Sequence, residues 1–397
     1  MATKLTIKLN YSLEIILDFI FLVLVFFFPF SIALRNMLLG LLIIFYIISK
    51  LINKELSLPK TEFNIYIYIF FIIGLLSIFK TNNINLSLAR IISPILRYIL
   101  FYFIAFDLIK KDRIAKYINI IFASNILFLG YGFYDFFRGG KFLYGNGTGT
   151  LLAFIIIFSL SYLFENKISL HRRVILTLIT VGGLMALYIS YSRGATLGFF
   201  GGLLVLAVLL IQRNYKNKRL IAVICLITIL LFTSLLVSDK LIAKFKRIMD
   251  FDSSWSLKTR VLMWRSSLIM IRENPLLGVG VGNFRPNYLY IVDNIFKIKI
   301  PESSRLHDHP HNLFLFIGAE QGLISLLLFI IMLYKAYYLG FFNYKKSISL
   351  NYVIGLALIG MLTVLVIHSM VDTTARYGHV GFYILLFLIF NMKLARN

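Results

Sequence analysis

The chain has 397 residues, of which 59% are hydrophobic and 15% charged, with a formal net charge of +24. A soluble globular domain carries about a quarter charged residues, and repeated apolar runs long enough to cross a hydrocarbon core exclude that class. Lys and Arg accumulate in the cytoplasmic loops of membrane proteins, which accounts for the basic excess; no nucleic-acid motif accompanies it, so no nucleic-acid partner is expected.

In chain order, the apolar runs predict membrane spans at about 13–34, 37–52, 63–79, 88–109, 114–134, 149–164, 173–191, 195–212, 219–238, 312–334, 350–368 and 378–392. The first run lacks a small-residue cleavage site and leads almost at once into the second, so it reads as a retained helix. The run 37–52 is short, 88–109 contains Arg90 and Arg97, and 149–164 is short and follows the glycine-rich stretch Gly145–Thr150. Cys225 lies in an apolar run and reads as a buried, inert thiol. With the N-terminus inside, basic clusters such as Lys50, Lys54 and Lys60, Lys110 to Lys116, and Arg213 to Arg219 all fall on the cytoplasmic side. The other side holds scattered cations: Arg35, Lys80, Arg138, Lys141, Arg193 and Arg376. The asymmetry supports twelve spans with both termini cytoplasmic.

Segment 239–311 is too polar to span and too long for a turn, and it carries twelve Lys/Arg against seven Asp/Glu. It divides the chain into helices 1–9 (residues 1–238), a large outer loop (239–311) and helices 10–12 (312–397). Loops of this length escape the charge rule, and a basic platform there suits an anionic substrate. Within it, Ser256 to Asn274 predicts an amphipathic helix with Leu257, Val261, Trp264, Leu268 and Ile271 on one stripe. Lys258, Arg265 and Arg272 flank one edge, Arg260 the other, and Pro275 ends the helix. Such a helix is expected to lie along the membrane surface, apolar face down.

Three polar features carry candidate chemistry. In Ser190-Tyr-Ser-Arg-Gly-Ala-Thr-Leu-Gly198, Arg193 lies between two apolar runs, which is costly unless it meets water, a partner or an anion. Gly194 and the small residues after it would let a substrate approach a helix N-terminus. The run Pro275-Leu-Leu-Gly-Val-Gly-Val-Gly-Asn-Phe284 lacks the Lys-Ser/Thr of a phosphate-binding loop, and its default meaning is flexible packing. The third feature runs from Arg305 through His307, Asp308, His309, Pro310, His311 and Asn312 to Ala319-Glu-Gln-Gly322. Three histidines within five residues suggest a metal site. Positions i and i+2 cannot share a helix face, however, so no metal is assigned and proton transfer is preferred.

Taken together, Ser192-Arg-Gly-Ala, Arg260 ahead of Asn274 to Phe284, and His309-Pro-His-Asn312 leading to Ala319-Glu-Gln-Gly322 resemble the O-antigen ligase family. Its superfamily is shared with O-antigen polymerases and some protein O-oligosaccharyltransferases. The motifs cover roughly residues 190–322, and the layout of spans covers the whole chain. The resemblance implies an all-α polytopic fold of about twelve helices with a large, partly helical periplasmic loop, like lipid-linked glycosyltransferases of the C type. It implies an enzyme of the bacterial inner membrane that needs no cofactor. This enzyme would move glycan from undecaprenyl diphosphate to lipid A–core oligosaccharide on the periplasmic side, with membrane lipids around it. The family's essential residues fall on Arg193, Arg260 and His311, and a further polar outer residue falls on Asp372. Arg265, Arg305, His309, Asn312, Asp372 and Glu320 are the accompanying candidates for substrate binding. His307 and Asp308 are additional to the family's pattern.

The implied mechanism is metal-independent and inverting. His311 acts as general base, and the two arginines stabilise the diphosphate leaving group. Glu320 or Asp372 could orient His311 or an arginine; a packing or capping role serves equally. The alternatives are an O-antigen polymerase, a protein O-oligosaccharyltransferase or, from another class, a polysaccharide transporter or flippase. The absence of a convincing internal repeat argues against a transporter.

Overall fold

The computed structural model describes residues 2–55, 57–81, 83–165, 168–213, 255–346 and 349–396. The predicted span 219–238, Cys225 and the first part of the outer loop, 239–254, lie outside the described residues. Among these, every regular element is helical: α1 (Ala2–Phe27), α2 (Ile32–Ile52), α3 (Asn64–Leu76), α4 (Ile84–Arg90), α5 (Arg97–Leu108), α6 (Ile114–Phe137), α7 (Asn146–Leu163), α8 (Leu170–Ile189), α9 (Arg193–Gln212), α10 (Trp255–Glu273), α11 (Phe284–Tyr290), α12 (Glu302–Arg305), α13 (Leu313–Tyr344), α14 (Ser349–Ser369) and α15 (Gly378–Ala395). Among the described residues, nine helices are long and apolar enough to cross a membrane. The chain is an all-helical polytopic membrane protein.

Local chemistry moves several boundaries. The first predicted run splits at Pro29, which cannot continue a helix. Ser31 then caps α2 by accepting from the Leu34 amide at 3.3 Å, so residues 32–36 lengthen the second helix. The cation-bearing run 84–108 is continuous only through a π-helical turn, Ile91–Leu96, that contains Pro94. Helix α13 continues ten residues beyond its predicted end at 334, to Tyr344, and is broken internally at Gly322 (φ 81°, ψ 176°).

Helices α7, α14 and α15 form the centre, with α8, α9 and α13 packed around them. Small residues set these contacts, as expected where lipid supplies no hydrophobic drive between helices. A Cβ at Gly202 would sit 3.0 Å from the Gly360 carbonyl oxygen, and one at Gly198 2.8 Å from that of Val364. The same stripe includes Gly194, whose Cβ would meet His368 at 2.3 Å. The small residues after Arg193 therefore hold α9 against α14, a different role from admitting substrate to the backbone.

Helix α10 forms as predicted but buries the other face. Thr259, Met263, Ser266, Ser267 and Met270 are buried, whereas Leu257, Val261, Trp264 and Ile271 are half-buried and Leu268 is 57% exposed. The small hydroxyl residues allow close packing, and two of them find partners: Ser267 donates to the Met263 carbonyl at 2.7 Å, and Thr259 pairs with Ser304 at 2.8 Å. Helix α10 packs on α11 and α13, so the predicted apolar stripe is not its main docking surface.

The glycine run 275–283 is a rigid seat for the break in α13. Val279 and Gly280 amides donate to the carbonyls of Ala319 and Glu320 at 2.8 and 3.1 Å, and the Leu323 amide donates to Pro275 at 2.7 Å. These bonds satisfy backbone groups freed by Gly322. A Cβ at Gly278 (φ +66°) would lie 2.4 Å from the Glu320 carbonyl carbon, and one at Gly322 2.2 Å from the Leu276 oxygen. Gly278→Ala and Gly322→Ala should each destabilise the detergent-purified protein by about 2–4 kcal/mol. Gly40→Ala and Gly130→Ala, where an added Cβ meets nothing within 4 Å, should change stability by less than about 1 kcal/mol. Equal melting temperatures for all four variants would refute the rigid seat.

Candidate active site

Asn312 begins the site. Its side chain accepts from the Leu315 amide at 3.0 Å, capping α13, and donates to the Met370 carbonyl at 3.0 Å. Immediately before it, His311 adopts φ 50°, a left-handed conformation uncommon outside glycine. That turn brings the rings of His309 and His311 to 4.5 Å between centroids, and those of His307 and His311 to 5.1 Å. The spacing argument against a shared metal assumed a helix; the segment is a loop, and its turn does what a helix could not. One ligand atom each from His309, His311 and Asp372 lies within 4.8 Å of the others.

Asp372, 1% exposed, comes from the loop between α14 and α15. One oxygen pairs with His311 Nδ1 at 3.0 Å and accepts the Thr373 amide at 2.8 Å; the other accepts the Tyr377 hydroxyl at 3.1 Å. Burial favours the neutral acid, but the bonds from His311 and Thr373 outweigh it and hold the carboxyl well below the usual range. A carboxylate only accepts, so the neutral His311 ring carries its proton on Nδ1 and its lone pair on Nε2. Nε2 lies 3.4 Å from His307 Nδ1. Burial, and next the neighbouring His311, push the His307 ring below the ordinary imidazole range.

Asp308 organises the other side. Arg376 donates to its two oxygens at 2.8 and 2.7 Å, and Arg90 donates at 3.0 Å. The oxygen facing His309 lies 2.7 Å from His309 Nδ1. Burial opposes ionisation of Asp308, but His309 and Arg376 overcome it and hold the carboxyl far below its usual range. Burial also keeps the His309 ring neutral to lower pH than an ordinary imidazole. One carboxylate thus ties α4, the histidine loop and the loop before α15 together.

Of the two arginines with proposed leaving-group roles, Arg193 is the exposed first residue of α9, whose cap Ser192 donates to Asn146 at 2.9 Å. Its neighbour Gly194 abuts His368, which is 1% exposed and bonds Thr150 at 2.9 Å. Arg260, half-buried on α10, lies within electrostatic reach of both His307 and His368. Neither arginine makes a hydrogen bond or ion pair with another described residue. Helix α10 is also fastened to the histidine loop by Trp264 Nε1, which donates to the Pro310 carbonyl at 2.9 Å.

The remaining candidates are engaged elsewhere. Arg305 forms a two-pronged pair with Asp293 at 2.9 and 2.7 Å, and Arg265 stacks over Phe296 at 5.8 Å. Glu320, 3% exposed, accepts the Phe284 amide at 3.1 Å and so anchors the glycine seat. It is Asp372 that meets His311. Arg90, Arg376, Tyr377, His368 and Thr150 join the site without having been singled out by sequence reasoning. The one available signal was Arg90, a cation in an apolar run that had to find a partner.

The clamp has a signature in stability. Asp308→Asn should cost about 1–2 kcal/mol at neutral pH, the partial exposure of the pairs reducing a larger buried value. The folded-state pKa is depressed, so this stabilisation is complete above the unfolded carboxyl pKa of about 4 and is lost as pH falls toward the folded value. The difference in melting temperature between wild type and variant should therefore be constant from about pH 8 to 5 and shrink below about 4. A difference independent of pH through the acid range would contradict an ionised clamp.

Comparison with the curated proteins finds no match. A family model described as O-antigen ligase matches residues 175–330. The matched stretch holds Arg193, Arg260, the glycine seat, the histidine loop and Glu320, while Asp372, Arg376 and Arg90 reach the same site from outside it. Over that stretch, on a helical membrane fold, the chain is similar to the O-antigen ligase family.

Proposed function

We propose that this chain is a ligase of the O-antigen ligase family, transferring glycan from undecaprenyl diphosphate to lipid A–core oligosaccharide at the periplasmic face of the bacterial inner membrane. The observation that carries the reading is the Asp372–His311 pair, with the Nε2 lone pair turned away from Asp372, at the end of the bundle where Arg193 and Arg260 make no hydrogen bond or ion pair with another described residue. The acceptor hydroxyl attacks the anomeric carbon of the lipid-linked sugar. Its proton passes to His311 Nε2 as the new C–O bond forms. The bond from that carbon to the diphosphate breaks on the opposite side, and the electron pair leaves with the phosphate oxygen. A single displacement inverts the anomeric centre.

Asp372 holds the ring with Nδ1 protonated and favours the imidazolium that forms. Arg193 and Arg260 take the charge that develops on the diphosphate, since a guanidinium is permanently charged and forks onto phosphate oxygens. Fixed cations placed this way supply what a divalent ion supplies in other transferases. The opposite end of the bundle is read as cytoplasmic: Lys50, Arg213, Lys346, Lys393 and Arg396 gather there, consistent with the charge asymmetry of the loops.

Purified protein given lipid-linked glycan and lipid A–core should transfer in the presence of EDTA. Dependence on an added divalent ion would overturn the arginine account, and transfer only to a second lipid-linked repeat would make the enzyme a polymerase. Turnover should fall about 10²–10⁴-fold in His311→Ala and about 10²–10³-fold in Arg193→Lys or Arg260→Lys. Donor binding should survive in His311→Ala but weaken in the arginine variants. Near-normal turnover by His311→Ala would remove that residue from the chemistry.

A further inference from the structure

We infer that His309, His311 and Asp372 form a zinc-binding site whose occupancy shuts the enzyme off. The ligand set stands on geometry alone; the inhibition rests on the proposed role of His311 as base. Asp372 Oδ1 lies 3.0 Å from His311 Nδ1 and 4.0 Å from His309 Nε2, separations that a single ion with bonds of about 2.0–2.2 Å can span with small side-chain movements. Two imidazoles and one carboxylate, with a fourth position open to water, make a donor set suited to zinc. The side chains of His309 and His311 are 20% and 19% exposed, so an ion can reach them.

The second observation is how His309 is aimed. Asp308 Oδ1 lies 2.7 Å from His309 Nδ1, and Asp308 is itself fixed by Arg376 and Arg90. Arg376 Nη1 lies at the same 2.7 Å from His309 Nδ1; in the tautomer with the Nδ1 proton toward Asp308, Nε2 is a lone pair directed toward Asp372, and this is the tautomer the site requires. A carboxylate that orients a histidine in this way is the usual outer partner of a zinc ligand. Arg376 contacts His309 on its Nδ1 edge at 2.7 Å, away from the ligating Nε2, and is paired with Asp308 at 2.8 and 2.7 Å.

Binding would disable the base directly. Zinc on His311 Nδ1 requires the single ring proton now held there to shift to Nε2. The lone pair that faces the acceptor hydroxyl is lost, and Asp372 turns from orienting the ring to ligating the ion. No bond to substrate is made or broken, and chelation restores the starting state.

The test uses full-length protein purified without a polyhistidine tag, stripped with EDTA and titrated with zinc chloride. One zinc per chain should bind saturably, and X-ray absorption of the loaded wild type should show two imidazole nitrogens at about 2.0–2.1 Å with oxygen completing the shell. Asp308→Asn should weaken binding about 10–100-fold. His309→Gln, checked for an unchanged melting curve, should abolish the one-to-one step. Zinc should arrest glycan transfer by the wild type and EDTA should restore it. No saturable binding, an absorption spectrum without imidazole, or unchanged binding by His309→Gln would overturn the site. Zinc held there without effect on transfer would overturn the inhibition. Should the stripped protein transfer no glycan at all, the metal-independent ligase reading falls, while the titration and absorption data still decide the metal site.

Discussion

The arrangement depends on a contact of backbone against backbone. Where α13 breaks at Gly322, its freed groups are taken up by Pro275, Val279 and Gly280, and the glycines there leave no room for side chains. An unmet amide or carbonyl at this depth costs several kcal/mol, so break and loop are stable only together. Everything above follows from the seat. The loop fixes the end of α10, α10 carries Arg260 and Trp264, and Trp264 holds the carbonyl of Pro310 between the two histidines. Arg260 and His311 belong to distant parts of the chain, yet their relative position is set by this one junction.

The arginines at this end of the bundle divide by whether the protein satisfies them. Arg90 and Arg376 converge on Asp308, and Arg305 is matched oxygen for nitrogen by Asp293. These charges hold shape. Arg193 and Arg260 have no such partner among the described residues, and cations left in that condition beside a membrane favour an anion. Pairing, more than the mere presence of positive charge, separates the arginines that hold the site's shape from the two proposed to meet a substrate.

Much of this was legible in the chain, and the failures have physical causes. Apolar runs located the helices because the bilayer demands length and hydrophobicity; the errors came where Pro29 and Ser31 set a boundary that hydropathy cannot see. Arg193, Arg260, His311 and Asp372 were identified through the family resemblance, and the structure brings Asp372 onto His311. The buried face of α10 was misjudged because Ser266, Ser267 and Thr259 look polar, although inside a tight junction such small side chains allow the close approach that leucine would block. The run from Gly278 to Gly282 looked flexible because composition does not reveal a seat facing it two score residues away in sequence. Asp308 with Arg376 and Arg90 was beyond reach, since a pairing between separate helices leaves no periodic trace.

Trp255 and Trp264 are the only tryptophans in the chain, and both lie on α10. Trp255 is 45% exposed, while the indole of Trp264 is half-buried and bonded to the histidine loop. Tryptophan emission from this protein, excited selectively at the red edge beyond tyrosine absorption, therefore originates on a single helix, the one that bears Arg260. The molecule carries its own optical reporter at the mouth of the site, and its colour and intensity follow the seating of that helix without any attached dye.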